Sequence, residues 1–176
     1  MHNPIVDSIR AIVADLDPES DAAEAAEGGL ALTLEESIGL ALVARHIAAS
    51  DGLSDAESSG MRALLEHYRV PEALHAAVMR ADLRGAGDVH VRAIVPPQSA
   101  KAAHLLSGVA FIAARDGLSG EEHDRLLRLG AALGLGRPLV DALLAESEAA
   151  VLASVRGDRA TLSKLDRLRA ALFRLA

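Results

Sequence analysis

Apolar residues recur along most of this chain at helical spacing. Ile5, Ile9, Ile12, Val13 and Leu16 share one side of a first segment, which stops near Asp17-Pro18. The stretch from Asp17 to Gly29 is acidic and Ala-rich, and reads as a linker or a marginal helix. From Thr33 the apolar density rises: Ile38, Leu40, Ala41, Leu42, Val43, Ile47 and Ala48 cover most sides of a helix, as a buried helix requires. Thr33 and Glu36 open it with a T-x-x-E capping box, in which the threonine hydroxyl and the glutamate carboxylate each accept from the other residue's backbone N–H.

The same pattern then repeats. Ile47-Ala48-Ala49-Ser50-Asp51-Gly52-Leu53-Ser54-Asp55-Ala56-Glu57 recurs as Ile112-Ala113-Ala114-Arg115-Asp116-Gly117-Leu118-Ser119-Gly120-Glu121-Glu122, with eight of eleven positions identical at an offset of 65. Beyond the match the apolar register holds without gaps, pairing Met61 with Leu126, Leu64 with Leu129, Val70 with Leu135, Leu74 with Leu139 and Val78 with Leu143. An Ala-rich chain yields chance identities, but not one string twice with its apolar positions in phase, so the chain is duplicated.

Each copy predicts a buried helix (about 34–50 and about 99–115) ending at Asp-Gly, where glycine suits a left-handed stop. Ser54 or Ser119 opens the next helix, with Glu57 or Glu122 completing an S-x-x-E capping box. Met61, Leu64, Leu65 and Tyr68 form that helix's inner stripe in the first copy. A break at Val70-Pro71, or at Leu135–Pro138, starts a third helix bearing Leu74, Ala77 and Val78, or Leu139, Leu143 and Leu144. Arg84–Pro97, with Gly85-Ala86-Gly87 and Pro96-Pro97, reads as an extended connector, since Val89, Val91 and Val95 have no partner strand. A last amphipathic helix carries Leu162, Leu165, Leu168, Leu172 and Leu175. The expected fold is all-α: one bundle of about eight helices with a pseudo-twofold duplication. Its parts are an N-terminal helix and acidic linker (1–30), the duplicated domain (31–155, copies about 33–83 and 98–150) and a basic C-terminal helix (156–176) packed on it.

Composition narrows the function. Aromatic residues make up 2% of the 176, namely Tyr68, Phe111 and Phe173, so Ala, Leu, Val and Ile must build the core. There is no cysteine, which excludes disulfides, thiolate metal sites and a cysteine nucleophile, and fits a reducing, cytoplasmic setting. No apolar stretch reaches 18 residues, and Met1-His2-Asn3-Pro4 lacks the form of a signal peptide, so a soluble protein with no transmembrane segment is expected. Residues 1–155 carry 12 Lys and Arg against 23 Asp and Glu, whereas residues 156–176 carry six against two. An acidic body nearly without aromatics argues against nucleic acid as a ligand. The basic last helix either packs its leucines on the bundle, with its arginines facing water or the acidic body, or serves as a surface for anionic lipid or an acidic partner.

Asp51 and Asp116 close the buried helices, where the macrodipole disfavours a carboxylate by about 0.3–1 kcal/mol. Two readings stand. Either both are Asp-Gly turns accepting backbone N–H groups while Glu57 and Glu122 cap, or Asp51, Glu57, Asp116 and Glu122 hold a hard cation such as Ca²⁺ or Mg²⁺ with the helix-end carbonyls. An EF-hand is excluded by counting, because with Gly52 at loop position 6 the first and third ligands would be Ile47 and Ala49. The histidines suggest no enzyme. His46 and His104 read as core or edge residues, His123 as a weak supplement to a metal site, and His67 and His75 as surface; no Ser-His-Asp or H-E-x-x-H spacing links them.

The tandem Ala-x-Asp-Gly-x-Ser-x-x-Glu elements resemble the TerB-like domain of tellurite-resistance and stress-response proteins, over about Leu34 to Leu144. The resemblance implies a helical bundle with its acidic motif residues on one surface, binding a divalent cation and working beside membrane-associated partners. Many members place a further acidic residue after the glycine, whereas Leu53 and Leu118 stand here. The functional expectation is a non-enzymatic binding module in a stress-response or envelope-associated complex with protein partners. The alternative is a purely structural interaction module without metal.

Overall fold

The computed structural model describes residues 2–14, 25–27, 30–48 and 54–176. Nine α-helices are found among them: α1 (Pro4–Ala14), α2 (Leu34–Ala48), α3 (Asp55–His67), α4 (Glu72–Arg80), α5 (Asp88–Ile94), α6 (Ala100–Ala113), α7 (Gly120–Ala132), α8 (Arg137–Val155) and α9 (Arg159–Phe173). The fold is all-α, as the periodicity predicts. α2 and α6 lie at its centre and pack on each other. α2 is buried without a break from Ser37 to Ala44, and α6 from Ala102 to Ala110.

The duplication is geometric as well as textual. α3 and α7 span Asp55–His67 and Gly120–Ala132, and α4 and α8 begin at Glu72 and Arg137, each pair 65 residues apart. α3 and α7 also end alike. Arg69 and Gly134 take positive φ, 54° and 73°, and the next N–H reaches back to a carbonyl five residues earlier, Val70 to Leu65 and Leu135 to Gly130, both at 3.0 Å. This is a Schellman stop, and it favours glycine. An arginine there carries a Cβ penalty that Gly134 avoids, so Arg69→Gly should raise stability by about 0.5–1 kcal/mol. The check is a higher urea midpoint at unchanged slope.

Across the pseudo-twofold, equivalent positions meet. Glu36 and Lys101, 65 residues apart, form an ion pair. Lys101 is the main reason the Glu36 carboxyl lies below its usual range. Elsewhere Arg45 of α2 donates to the carbonyls of Val78 (2.6 Å) and Ala81 (2.7 Å), tying down the C-terminal end of α4. The Ser147 hydroxyl donates to the Ser107 carbonyl between α8 and α6.

Three expectations need correcting. Within the acidic linker, Ala25–Glu27 and Leu30–Leu32 pair as a short antiparallel hairpin, with Glu27 opposite Leu30. The two residues between them are Gly28-Gly29, a hairpin signal where a linker was read. Leu16 of the first apolar stripe, and residues 17–24 and 28–29 of that linker, lie outside the described residues. In the connector, Asp88–Ile94 is a helix instead of extended chain. Val91 and Val95, four apart, are buried together while Val89 is exposed, so the helical period decided over the alternating one. The leucine stripe of α9 holds only in part: Leu172 is buried and Leu162 and Leu165 are half-buried, but Leu168 and, beyond the helix, Leu175 are exposed, and Phe173 joins the inner face instead. Among the described residues no helix is long and apolar enough to cross a membrane.

Candidate functional site

The repeated motif resolves first into helix caps. Ser54 Oγ accepts from Glu57 N–H (3.1 Å), and Glu57 Oε2 accepts from Ser54 N–H (2.7 Å). In the second copy Ser119 Oγ accepts from Glu122 N–H (3.2 Å), while Glu122 Oε2 accepts from both Ser119 N–H (2.8 Å) and its hydroxyl (2.6 Å). Asp51 lies outside the described residues. Asp116 closes a 3-10 turn (Ala114–Asp116) after α6, followed by Gly117 at φ 94°; its side chain is likewise outside the described set.

The two glutamates nonetheless converge. Both line one small cavity of about 30 Å³ under α2, α6 and α7, and Arg125 shares its wall. Two carboxylates, each with an oxygen engaged in a cap and a guanidinium alongside, are a poor donor set for Ca²⁺ or Mg²⁺, which take six to eight oxygens or a near-ideal octahedron. Among the described residues no group of three or more His, Asp or Glu side chains is arranged to hold a metal ion.

A second site forms where α9 closes over α3, α6 and α8. A cavity of about 280 Å³ lies there, and Tyr68, Phe111 and Phe173 all line it, together with His67, His104 and Arg169. These are all the aromatic residues the chain possesses. Tyr68 comes from the C-terminal end of α3, His104 and Phe111 from one face of α6, and Phe173 from the last turn of α9. The Tyr68 and His104 rings stack at 4.8 Å, and Phe173 tilts against His104 at 5.1 Å. Gly108 makes the stack possible, because a Cβ there would stand 2.7 Å from the Tyr68 hydroxyl.

The charge at this site is held in a buried pair. Arg169 Nη2 and Nε donate to the two carboxylate oxygens of Glu146 at 2.7 and 3.1 Å, with the Glu146 side chain fully enclosed and that of Arg169 12% exposed. Asp166, mostly in solvent, lies 3.6 Å from Arg169 Nη1. Burial lowers His104 to about 3, with the charges of His67 and Arg169 acting in the same direction. His67 is lowered too, by desolvation first and Arg169 second, while Asp166 opposes. Both rings are therefore neutral near pH 7.

The other histidines lie apart from this array. His46 is half-buried at the end of α2 and lines a separate groove with Arg45 and Arg84. His123 is half-buried on α7. His75 pairs through Nε2 with the Val70 carbonyl at 2.8 Å.

Sequence reasoning missed the aromatic cavity and its ion pair. Two signals were available. Glu146 sits on the buried stripe of α8 between Leu143 and Ala150, where a carboxylate demands a partner. His104 falls at the position that is Gly39 in the first copy, so it departs from the repeat. No family model, no curated protein and no solved structure matches the chain.

Proposed function

We propose that the chain is a non-enzymatic helical binding module of the TerB-like kind, in which the repeated motif acts as a folding element and protein partners are engaged in a stress-response or envelope-associated complex in the cytoplasm. The observation that supports this reading most is the pair of closed capping boxes, which engage both motif glutamates in starting α3 and α7. The ionisable groups at the aromatic cavity fit it as well. Arg169 is held by Glu146, and an imidazole lowered to about 3 binds a proton too weakly for general acid–base work near neutral pH.

A second reading keeps the cation, on the ground that Glu57 and Glu122 face one cavity from the two copies. One experiment separates the two. Ca²⁺, Mg²⁺, Mn²⁺ and Zn²⁺ are titrated calorimetrically into wild type and into Asp51→Asn/Asp116→Asn, and Ser54→Ala and Ser119→Ala are unfolded in urea. The folding-element reading expects no heat of binding at millimolar ion and a loss of about 1 kcal/mol for each serine. Saturable binding that the double variant abolishes would establish the cation instead.

A further inference from the structure

We propose that the cavity beneath α9 is a binding site for a small, uncharged, planar aromatic molecule of one or two rings that carries a hydrogen-bonding group. The proposal is independent of the motif and of any cation.

Selection of side chains is the first ground. A chain with three aromatic residues among 176 spends all three on one cavity. The repeat supplies an internal control for what packing alone would have used. At the positions equivalent to His104, Ser107, Gly108 and Tyr68, the other copy has Gly39, Leu42, Val43 and Leu133, all of them buried. A groove opens on that side of the pseudo-twofold too, but His46, Leu129, Ala132 and Leu133 line it where the site beneath α9 has Phe111, Leu64, His67 and Tyr68. The two sides differ in their lining: the stacked ring array and the serine hydroxyls belong to the side beneath α9.

Size and surface are the second ground. An apolar cavity of about 150 Å³ accepts benzene, so about 280 Å³ suits one or two rings. Tyr68, His104 and Phe173 form a continuous ring array along the wall, and flat aromatic ligands stack or pack edge-on against such arrays. Ser107 and Ser154 bring hydroxyls to the lining, able to orient a polar substituent.

Charge is the third ground and sets the class. Among the described residues of the lining Arg169 is the one cationic side chain, and its forked face is already turned to Glu146 with Asp166 beside it. A carboxylate or phosphate ligand would have to displace Glu146 and leave that acid buried without its counter-ion. The imidazoles, neutral near pH 7, add no positive charge. An uncharged ligand meets none of these costs.

The test titrates the full chain with 2-naphthol and with 2-naphthoate, which share a ring system and differ in charge. Binding is followed by calorimetry, and intermolecular nuclear Overhauser effects locate the ligand. The expected result is saturable sub-millimolar binding of 2-naphthol, contacts to the Tyr68, Phe111 and Phe173 rings, and at least tenfold weaker binding of 2-naphthoate. Ala63→Leu, which projects a larger side chain into the cavity from α3, should weaken 2-naphthol at least tenfold while circular dichroism stays unchanged. Should that variant fold poorly, the contacts to the three rings in wild type decide alone. Absence of saturable binding, equal affinity for the two probes, unaltered affinity in a folded Ala63→Leu protein, or contacts elsewhere on the surface would each overturn the proposal.

Discussion

Replacing Arg169 by methionine should destabilise the protein by about 3–5 kcal/mol, the loss found when one member of a buried ion pair is removed. Glu146 would then be a fully enclosed carboxylate without the two guanidinium hydrogen bonds it accepts at 2.7 and 3.1 Å. Most of that cost is desolvation of the orphaned acid rather than lost attraction. The double variant Glu146→Met/Arg169→Met should therefore recover most of it, because the apolar surroundings of α8 and α9 accept methionine. Urea unfolding of the two singles and the double forms the required cycle. A loss below about 1 kcal/mol for Arg169→Met, the scale of a surface pair, would show that the interaction is not buried in solution.

Acid should unfold the protein sooner because of His104. In the unfolded chain the imidazole titrates near 6.5, whereas in the fold burial holds it to about 3. The unfolded state thus binds the proton first. The ring's contribution to stability is complete above pH 6.5 and is lost as pH falls from there towards 3, by up to about 1.4 kcal/mol per pH unit. His67 acts in the same direction and more weakly, since desolvation lowers it only to about 4. Thermal midpoints measured between pH 7 and pH 4 should fall steeply in wild type and less steeply in His104→Phe, which keeps a ring in the stack. Parallel curves for the two proteins would exclude His104 as the source.

Much of this fold could be read from residues that act locally. Ser54 with Glu57, and Ser119 with Glu122, place the starts of α3 and α7 because a cap is settled within four residues. Met61, Leu64 and Leu65 are buried as their spacing predicts. What could not be read depends on where distant segments meet. The three aromatic residues lie on three helices, and nothing local says that the end of α3, the middle of α6 and the last turn of α9 adjoin. Arg169 sits among exposed basic residues and looks like one of them until Glu146, 23 positions earlier, is seen to face it. Leu162, Leu165 and Leu172 lie on the same face of α9 as Arg169, whereas Leu168 falls off it and is exposed. Asp88–Ile94 was missed on a different ground: its two valine spacings support opposite structures, and burial of Val91 and Val95 chose between them.

The contact between Glu36 and Lys101 has an implication for the duplication itself. In an assembly of two identical halves, the residue nearest the axis faces its own copy, so a glutamate there would confront a glutamate and a lysine a lysine. Fusion into one polypeptide lifts that constraint, because the halves can mutate separately while remaining tethered. Opposite charges at this one position thus record that the two halves have become distinct partners. A detached half dimerising with itself would recreate the like-charge clash that the joined chain has escaped.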